Sequence, residues 1–383
     1  MSKQPFNPKL MEFLHFLTLQ PKVLNSNELA KAFTIGNGKK ITDRTIRRWF
    51  NYLQTNCFDY YHYLKYENLG LFAVYVLITG EKELLNFLEG FPMHDYVAYF
   101  FDPRKSKDFL LVRYLVPKNR VKELKRYLSN CKAKKAIEDY QIYYFSTPVI
   151  IYSPFRKIMD KHGNLDFSNV NETDHDHFIE LLEKSRNEKR EVFLSKHIKQ
   201  NPFILPILLT QHREHWSSVK IWNDIKERLG DDVWKYTKRV KKKTDMVGVR
   251  HVQKTLKEIH QNHLNDFVQQ VRVEYDPIVL EKNAAAIFFM NFNNNSSFLN
   301  FIKNLAKRSL MVYVYPPYKT HKYMFYVVTG HREMHDIMTD ILGKHNNERI
   351  LLRSRKKFKD IWGRNLAKFK YEKIFDPTKS SWV

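Results

Sequence analysis

Arg44, Thr45, Arg47, Arg48 and Asn51 fall at the spacing of one helix face, in a helix whose start is expected at Thr42 or Asp43. Guanidinium groups on such a face can pair bidentately with guanine or hold phosphates. An Asn amide can pair with adenine, and a Thr hydroxyl can reach a phosphate oxygen. A second face of the same kind carries Arg250, His251, Gln253, Lys254 and Lys257. It follows the basic run Lys238-Arg239-Val240-Lys241-Lys242-Lys243, whose last three lysines, Lys241, Lys242 and Lys243, are expected to contact phosphates. A solvated charged face is the plain reading of any one such helix. Two of them in one strongly basic chain favour a nucleic acid.

Other residue groups offer less chemistry. His175-Asp176-His177 has the spacing of a metal pair, but Asp176 stands where a hydrophobic strand residue is needed, in an expected loop. His331 and His335 flank Glu333 at helical spacing, and a solvent-facing helix start accounts for them. Cys57 and Cys131 are too few for a disulfide framework or a zinc site. With only 11 glycines and no Gly-rich phosphate loop, no nucleotide engine is indicated. The expectation is a chain that is not an enzyme and takes no cofactor. A nicking nuclease is the enzymatic reading set against it.

Both faces need elements to hold them. The first is backed by Ile46, Trp49, Phe50 and Leu53, the second by Val249, Val252, Leu256 and Ile259, each an apolar stripe. Matching the stripes sets Arg47 against Gln253. Two helices are expected before each: one bearing Leu10, Phe13, Leu14 and Leu17 and one over 28–33, then 203–212 and 219–229. Tyr60–Tyr66 and Val268–Tyr275 are expected as the wings that follow.

What comes next is also doubled. Leu71–Ile78 matches Ala285–Phe292, Leu84–Leu88 matches Phe298–Ile302, and Val97–Val116 matches Leu310–Thr329. Helices over 120–128 and 333–342 and strands near 141–151 and 349–353 complete each copy. The order is β-α-β-β-α-β, the ferredoxin-like pattern. The fold class is therefore α+β, two tandem copies of a winged helix-turn-helix followed by a ferredoxin-like domain. The expected division is 1–66, 67–165, a linker helix over 166–200, 201–276, and 277–383 with a basic C-terminal extension.

Composition sets the partner. Lys and Arg total 65 against 41 Asp and Glu, a formal charge of +24, which calls for a polyanion. Apolar residues reach 43% and aromatics 15%, enough for real cores. The longest apolar stretches are about strand length, far short of the ~20 residues of a membrane span. The opening MSKQPFNPKL has no apolar signal core, so a cytoplasmic location is expected.

This layout resembles the Lrp/AsnC family of transcription regulators, duplicated and fused as in archaeal proteins. Asn68-Leu69-Gly70-Leu71-Phe72-Ala73-Val74-Tyr75-Val76 resembles the family's entry into its first sheet strand, and Lys107-Asp108-Phe109-Leu110-Leu111 its Asp-bearing turn. Lys105, Ser106 and Lys107 stand where the family has a Gly, and Lys322 takes the Asp position in the second copy. The resemblance implies a regulator of double-stranded DNA, with basal transcription factors or RNA polymerase as further partners. Its sheets would pair inside one chain as a pseudo-dimer, with a homodimer of the whole chain as a further assembly. The unlike faces imply unlike half-sites. A plasmid-type replication initiator binding origin repeats is the alternative.

Overall fold

The computed structural model describes residues 8–20, 26–35, 38–56, 58–158, 165–187, 191–210, 217–237, 243–275, 283–318, 322–344, 349–353 and 369–383. The chain opens with α1 (Pro8–Thr18), α2 (Ser26–Ala32), a small hairpin of β1 (Thr34–Ile35) and β2 (Lys39–Lys40), and α3 (Asp43–Asn56). The hairpin turns at Gly38, whose φ of 72° suits a residue without Cβ. Then come β3 (Phe58–Leu64), β4 (Leu71–Thr79), α4 (Leu84–Glu89), β5 (His94–Asp102), β6 (Lys107–Pro117), α5 (Val121–Ala133), β7 (Asp139–Phe145), β8 (Val149–Tyr152) and α6 (Phe155–Ile158).

A linker with α7 (Asp176–Asn187) and α8 (Lys196–Gln200) leads to α9 (Ile204–Thr210), α10 (Ser218–Leu229), α11 (Val233–Tyr236) and α12 (Asp245–Glu258). A π-helical turn, Ile259–His263, joins α12 to α13 (Leu264–Phe267). The second half ends with β9 (Val268–Tyr275), β10 (Asn283–Asn291), α14 (Asn295–Ala306), β11 (Met311–Tyr315), β12 (Lys322–Gly330), α15 (His331–Lys344), β13 (Arg349–Arg353), β14 (Phe375–Asp376) and β15 (Ser381–Trp382).

The fold is α+β around one antiparallel sheet with the strand order β7-β4-β6-β5-β13-β10-β12-β11-β8. Each half contributes its four strands in the order fourth, first, third, second, compatible with a ferredoxin-like unit. The halves meet edge to edge where Leu352 pairs with Phe101 and Arg353 with Phe100. They meet again on the far side. β8 pairs with β11, Phe145 bridges Pro317, and the Tyr318 amide donates to the Tyr144 carbonyl at 3.1 Å. The single segment running from β7 into β8 thus touches both ends of the strand order, and the sheet curls back on itself. The free edge of β8 is capped by a side chain: Gln270 accepts from the Ile150 amide at 2.8 Å and donates to its carbonyl at 3.0 Å. That edge is closed to further strands.

Alternation in the strands explains the layers. One face takes α5, α14 and α15. On the other, Tyr143 stacks on Phe289 with centroids 4.7 Å apart, and Tyr75 meets Tyr315 at 5.3 Å. The halves therefore pair within one chain, face to face as well as along their edges. A charge sits in this core. Arg113 makes a bidentate pair with Asp95, Nε–Oδ1 2.7 Å and Nη2–Oδ2 2.6 Å, and donates to the Tyr63 hydroxyl at 3.0 Å. Burial works against the guanidinium charge, but Asp95 and the surrounding tyrosines outweigh it and hold the group protonated.

One expectation is corrected. The segments expected as wings pair with each other: β3 and β9 form one antiparallel ribbon, from Phe58↔Tyr275 to Leu64↔Val268. The open edge of each strand finds the sister strand rather than a hairpin of its own. In the linker, Phe178, Leu182 and His175 are buried, and Phe178 packs on Tyr152 at 5.7 Å. The C-terminal segment 369–383 is packed. Tyr371 is buried, and the Trp382 indole donates to the Leu69 carbonyl at 2.7 Å. Residues 354–368, within the expected basic C-terminal extension, lie outside the described residues.

Candidate nucleic-acid interface

The third helix of each half starts in the same way. α3 opens after Thr42 and α12 after Thr244, each followed by Asp. The first helical bonds run from the Ile46 amide to the Thr42 carbonyl (3.1 Å) and from the Gly248 amide to the Thr244 carbonyl (3.0 Å). An Asp in the first turn favours the positive end of the helix. This common start revises the expected match. It sets Arg48 against Arg250 and Asn51 against Gln253, and Arg47 then faces Val249, not Gln253. Stripe matching missed it because a shift of one turn leaves an apolar stripe in place. The repeated Thr-Asp was the signal that fixes it.

α3 buries Ile46 and Phe50 against the first two helices. Phe13 meets Phe50 at 5.6 Å and Trp49 at 5.3 Å, and Phe33 lies 5.3 Å from Phe13. The side chain of Leu53 lies outside the described residues. On the outer face Arg44, Arg47, Arg48 and Asn51 are exposed. Arg47 is paired with Asp43 at 2.8 Å while its side chain stays 63% exposed. Thr45 is half-buried and belongs to the start of the helix: its amide and hydroxyl both meet the Thr42 hydroxyl, at 3.3 and 3.0 Å. Thr42 is the capping residue, and Thr45 is the first-turn residue whose amide it satisfies.

α12 is held by Val252, Thr255 and the following Ile259, all buried, and by Gly248 against the Trp222 ring of α10. Asp245 accepts from the Trp222 indole at 3.0 Å and pairs with Lys226 at 2.7 Å. Arg250, Gln253, Lys254 and Lys257 are exposed, and so is Lys243 before the helix. His251 is not on this face. Its ring packs on Phe203 at 4.9 Å, and burial, then Lys254, pushes its pKa down. Phe203 fills the side of α12 to which His251 turns, and the ring is half-buried there. Lys241 and Lys242 lie outside the described residues.

Arg44, Arg47, Arg48 and Asn51 are thus brought together on one helix, and Arg250, Gln253, Lys254 and Lys257 on another. His331 and His335, set aside from the sequence, are exposed at the start of α15. No helix among the described residues is long and apolar enough to cross a membrane.

No family model matches the chain, and no curated protein matches it. Two solved structures are similar to it. One is the siroheme decarboxylase NirDL, at 10% identity over 91% of this chain and 91% of that one, with a TM-score of 0.44. The other is NirDL in co-complex with an iron-uroporphyrin III analogue, at 8% identity over 94% and 99%, with a TM-score of 0.44. Both are an enzyme, so the expectation that this chain is not one is withdrawn.

Proposed function

We propose that the chain is a sequence-specific regulator of transcription that binds double-stranded DNA and reads two unlike half-sites with α3 and α12. The observation that carries this reading is the pair of third helices. Both start on Thr-Asp, both bury one stripe on two preceding helices, and both turn basic side chains and one amide side chain outward, arginines and Asn51 on α3 and Arg250, two lysines and Gln253 on α12, in a chain of charge +24. The resemblance to Lrp/AsnC regulators points the same way. Each half would act as a helix-turn-helix whose usual wing strand has been drawn into the β3–β9 ribbon, which couples the two readers through the core. The outer faces differ, Arg44, Arg47, Arg48 and Asn51 against Arg250, Gln253, Lys254 and Lys257, so one chain would recognise a bipartite site that is not a palindrome. Basal transcription factors or RNA polymerase are the protein partners this reading adds.

The test is selection of duplexes from a random pool by the full chain, followed by footprinting. The expected result is one enriched site with two different halves. Arg48→Ala would relax base preference in one half by about 1–3 kcal/mol. Recovery of no preferred sequence, or of a perfect inverted repeat, would count against the reading.

A further inference from the structure

The second half carries a segment that the first half lacks. α3 ends at Asn56 and β3 begins at Phe58, whereas α12 ends at Glu258 and β9 begins only at Val268. The intervening residues form the π-helical turn and α13. Such turns are rare and concentrate at functional sites. This one presents His263 and, a turn later, Asp266. Facing them is His197 of α8, on the linker.

The three side chains converge. One nitrogen of each His and one oxygen of Asp266 all lie within 4.8 Å of one another. The two imidazoles are stacked with centroids 3.6 Å apart and planes at 27°, and His197 Nε2 is 3.5 Å from Asp266 Oδ2. Glu258 stands next to them, its Oε1 4.0 Å from His263 Nε2. The His side chains are 17% and 16% exposed, while Asp266 is 53% exposed, so the group opens to solvent on the carboxylate side.

The frame beneath them is fixed. The Lys65 amide donates to the Phe267 carbonyl at 2.8 Å, and the Asn68 amide side chain donates to the Asp266 carbonyl. The Ser195 amide donates to the Asn68 carbonyl at 3.0 Å, and the Ser195 hydroxyl caps α8 by accepting from the His197 amide at 3.3 Å. Residues 65–68, 193–197 and 263–267 are thereby pinned to one another, and the ligating atoms meet on a backbone already in place. Across a tetrahedral ion with bonds of about 2.0–2.1 Å, ligand atoms stand roughly 3.4 Å apart. Reaching it takes rotation of one imidazole out of the stack, so that both ring nitrogens point at one ion.

We infer that His197, His263 and Asp266 form a binding site for one zinc-class divalent transition-metal ion, with Glu258 or water in the fourth position. Two nitrogens and one carboxylate are the donor set such ions take. The ion would fasten the linker to the base of α12. The inference stands apart from the DNA reading, since it concerns the ion alone.

The test titrates the full chain, purified without an affinity tag, with Zn2+ by calorimetry and with Co2+ by visible absorption. The expected result is one tight site, the absorption of four-coordinate cobalt, and a Tm that rises with Zn2+. His263→Ala and Asp266→Asn would each weaken binding at least tenfold, and His335→Ala, on the exposed start of α15, would leave it unchanged. Asp266 is exposed, so its variant reports even if the His263 variant does not fold. No binding to the wild-type chain, or equal binding by the Asp266 and His335 variants, would overturn the site.

Discussion

Gly248 of α12 lies against Trp222 of α10 so closely that a Cβ there would stand 2.3 Å from the indole ring. The ring is fully buried, and its nitrogen is spent on Asp245, so it has no room to yield. Gly248→Ala is therefore expected to push α12 off its support despite the better helix propensity of Ala. The cost would be about 1–3 kcal/mol. Chemical denaturation measures it, and footprinting should show protection lost in one half-site first. A variant as stable as the parent would mean that the two helices are not this close.

The Asp95–Arg113 pair is almost wholly inside the core. Removing one partner strands the other charge, so Asp95→Asn and Arg113→Met should each lose about 3–5 kcal/mol. The double variant should lose less than either single change, because no unpaired charge is left. Additive losses would show that the pair is not coupled.

His175 is buried beside Ser153, with Nε2 3.2 Å from its hydroxyl, and burial pushes its pKa down to about 4 from an ordinary 6.5. The unfolded chain then takes up a proton that the folded chain refuses. Stability from this residue is complete above pH 6.5 and falls as the pH drops from 6.5 toward 4, by up to about 3 kcal/mol. Unfolding free energies between pH 7 and pH 4 should show the fall in the wild type, and a flatter curve in His175→Gln. Equal slopes would remove His175 as the cause.

Much of this was legible in the sequence, for a physical reason. A strand buried on both faces, such as Leu71–Thr79, reads as an apolar run, and its repetition around Ala285 exposed the duplication. The two basic helix faces followed from the buried stripes under them. Pairing partners did not follow, because β3 and β9 alternate like any half-buried strand, and nothing local says that each closes on the other. His251 looked outward on periodicity alone, since the contact that turns it inward, Phe203, is far along the chain. The His197, His263 and Asp266 group was invisible for the same reason: its ligands come from two segments brought together only by the fold.

Asp43 opposes the face it belongs to, because its ion pair holds Arg47 across one turn. An exposed pair of this kind contributes about 0.3–0.5 kcal/mol, so little stability is at stake. Asp43→Asn should free Arg47 and remove a negative charge from the interface. Duplex affinity should rise several-fold in a fluorescence titration, with stability lowered by under about 1 kcal/mol. Weaker binding would place α3 away from the phosphates.

The most direct test of the central claim is the salt dependence of duplex binding by the wild-type chain and by a variant with Arg44, Arg48, Arg250 and Lys254 all changed to Ala. Each phosphate neutralised adds about 0.9 to the slope of log affinity against log salt. If both helices lie on DNA, the wild-type slope will be steep, and the variant's will be shallower by about 3–4 as four contacts are lost. A flat wild-type slope, or one that the four substitutions leave unchanged, would contradict the account.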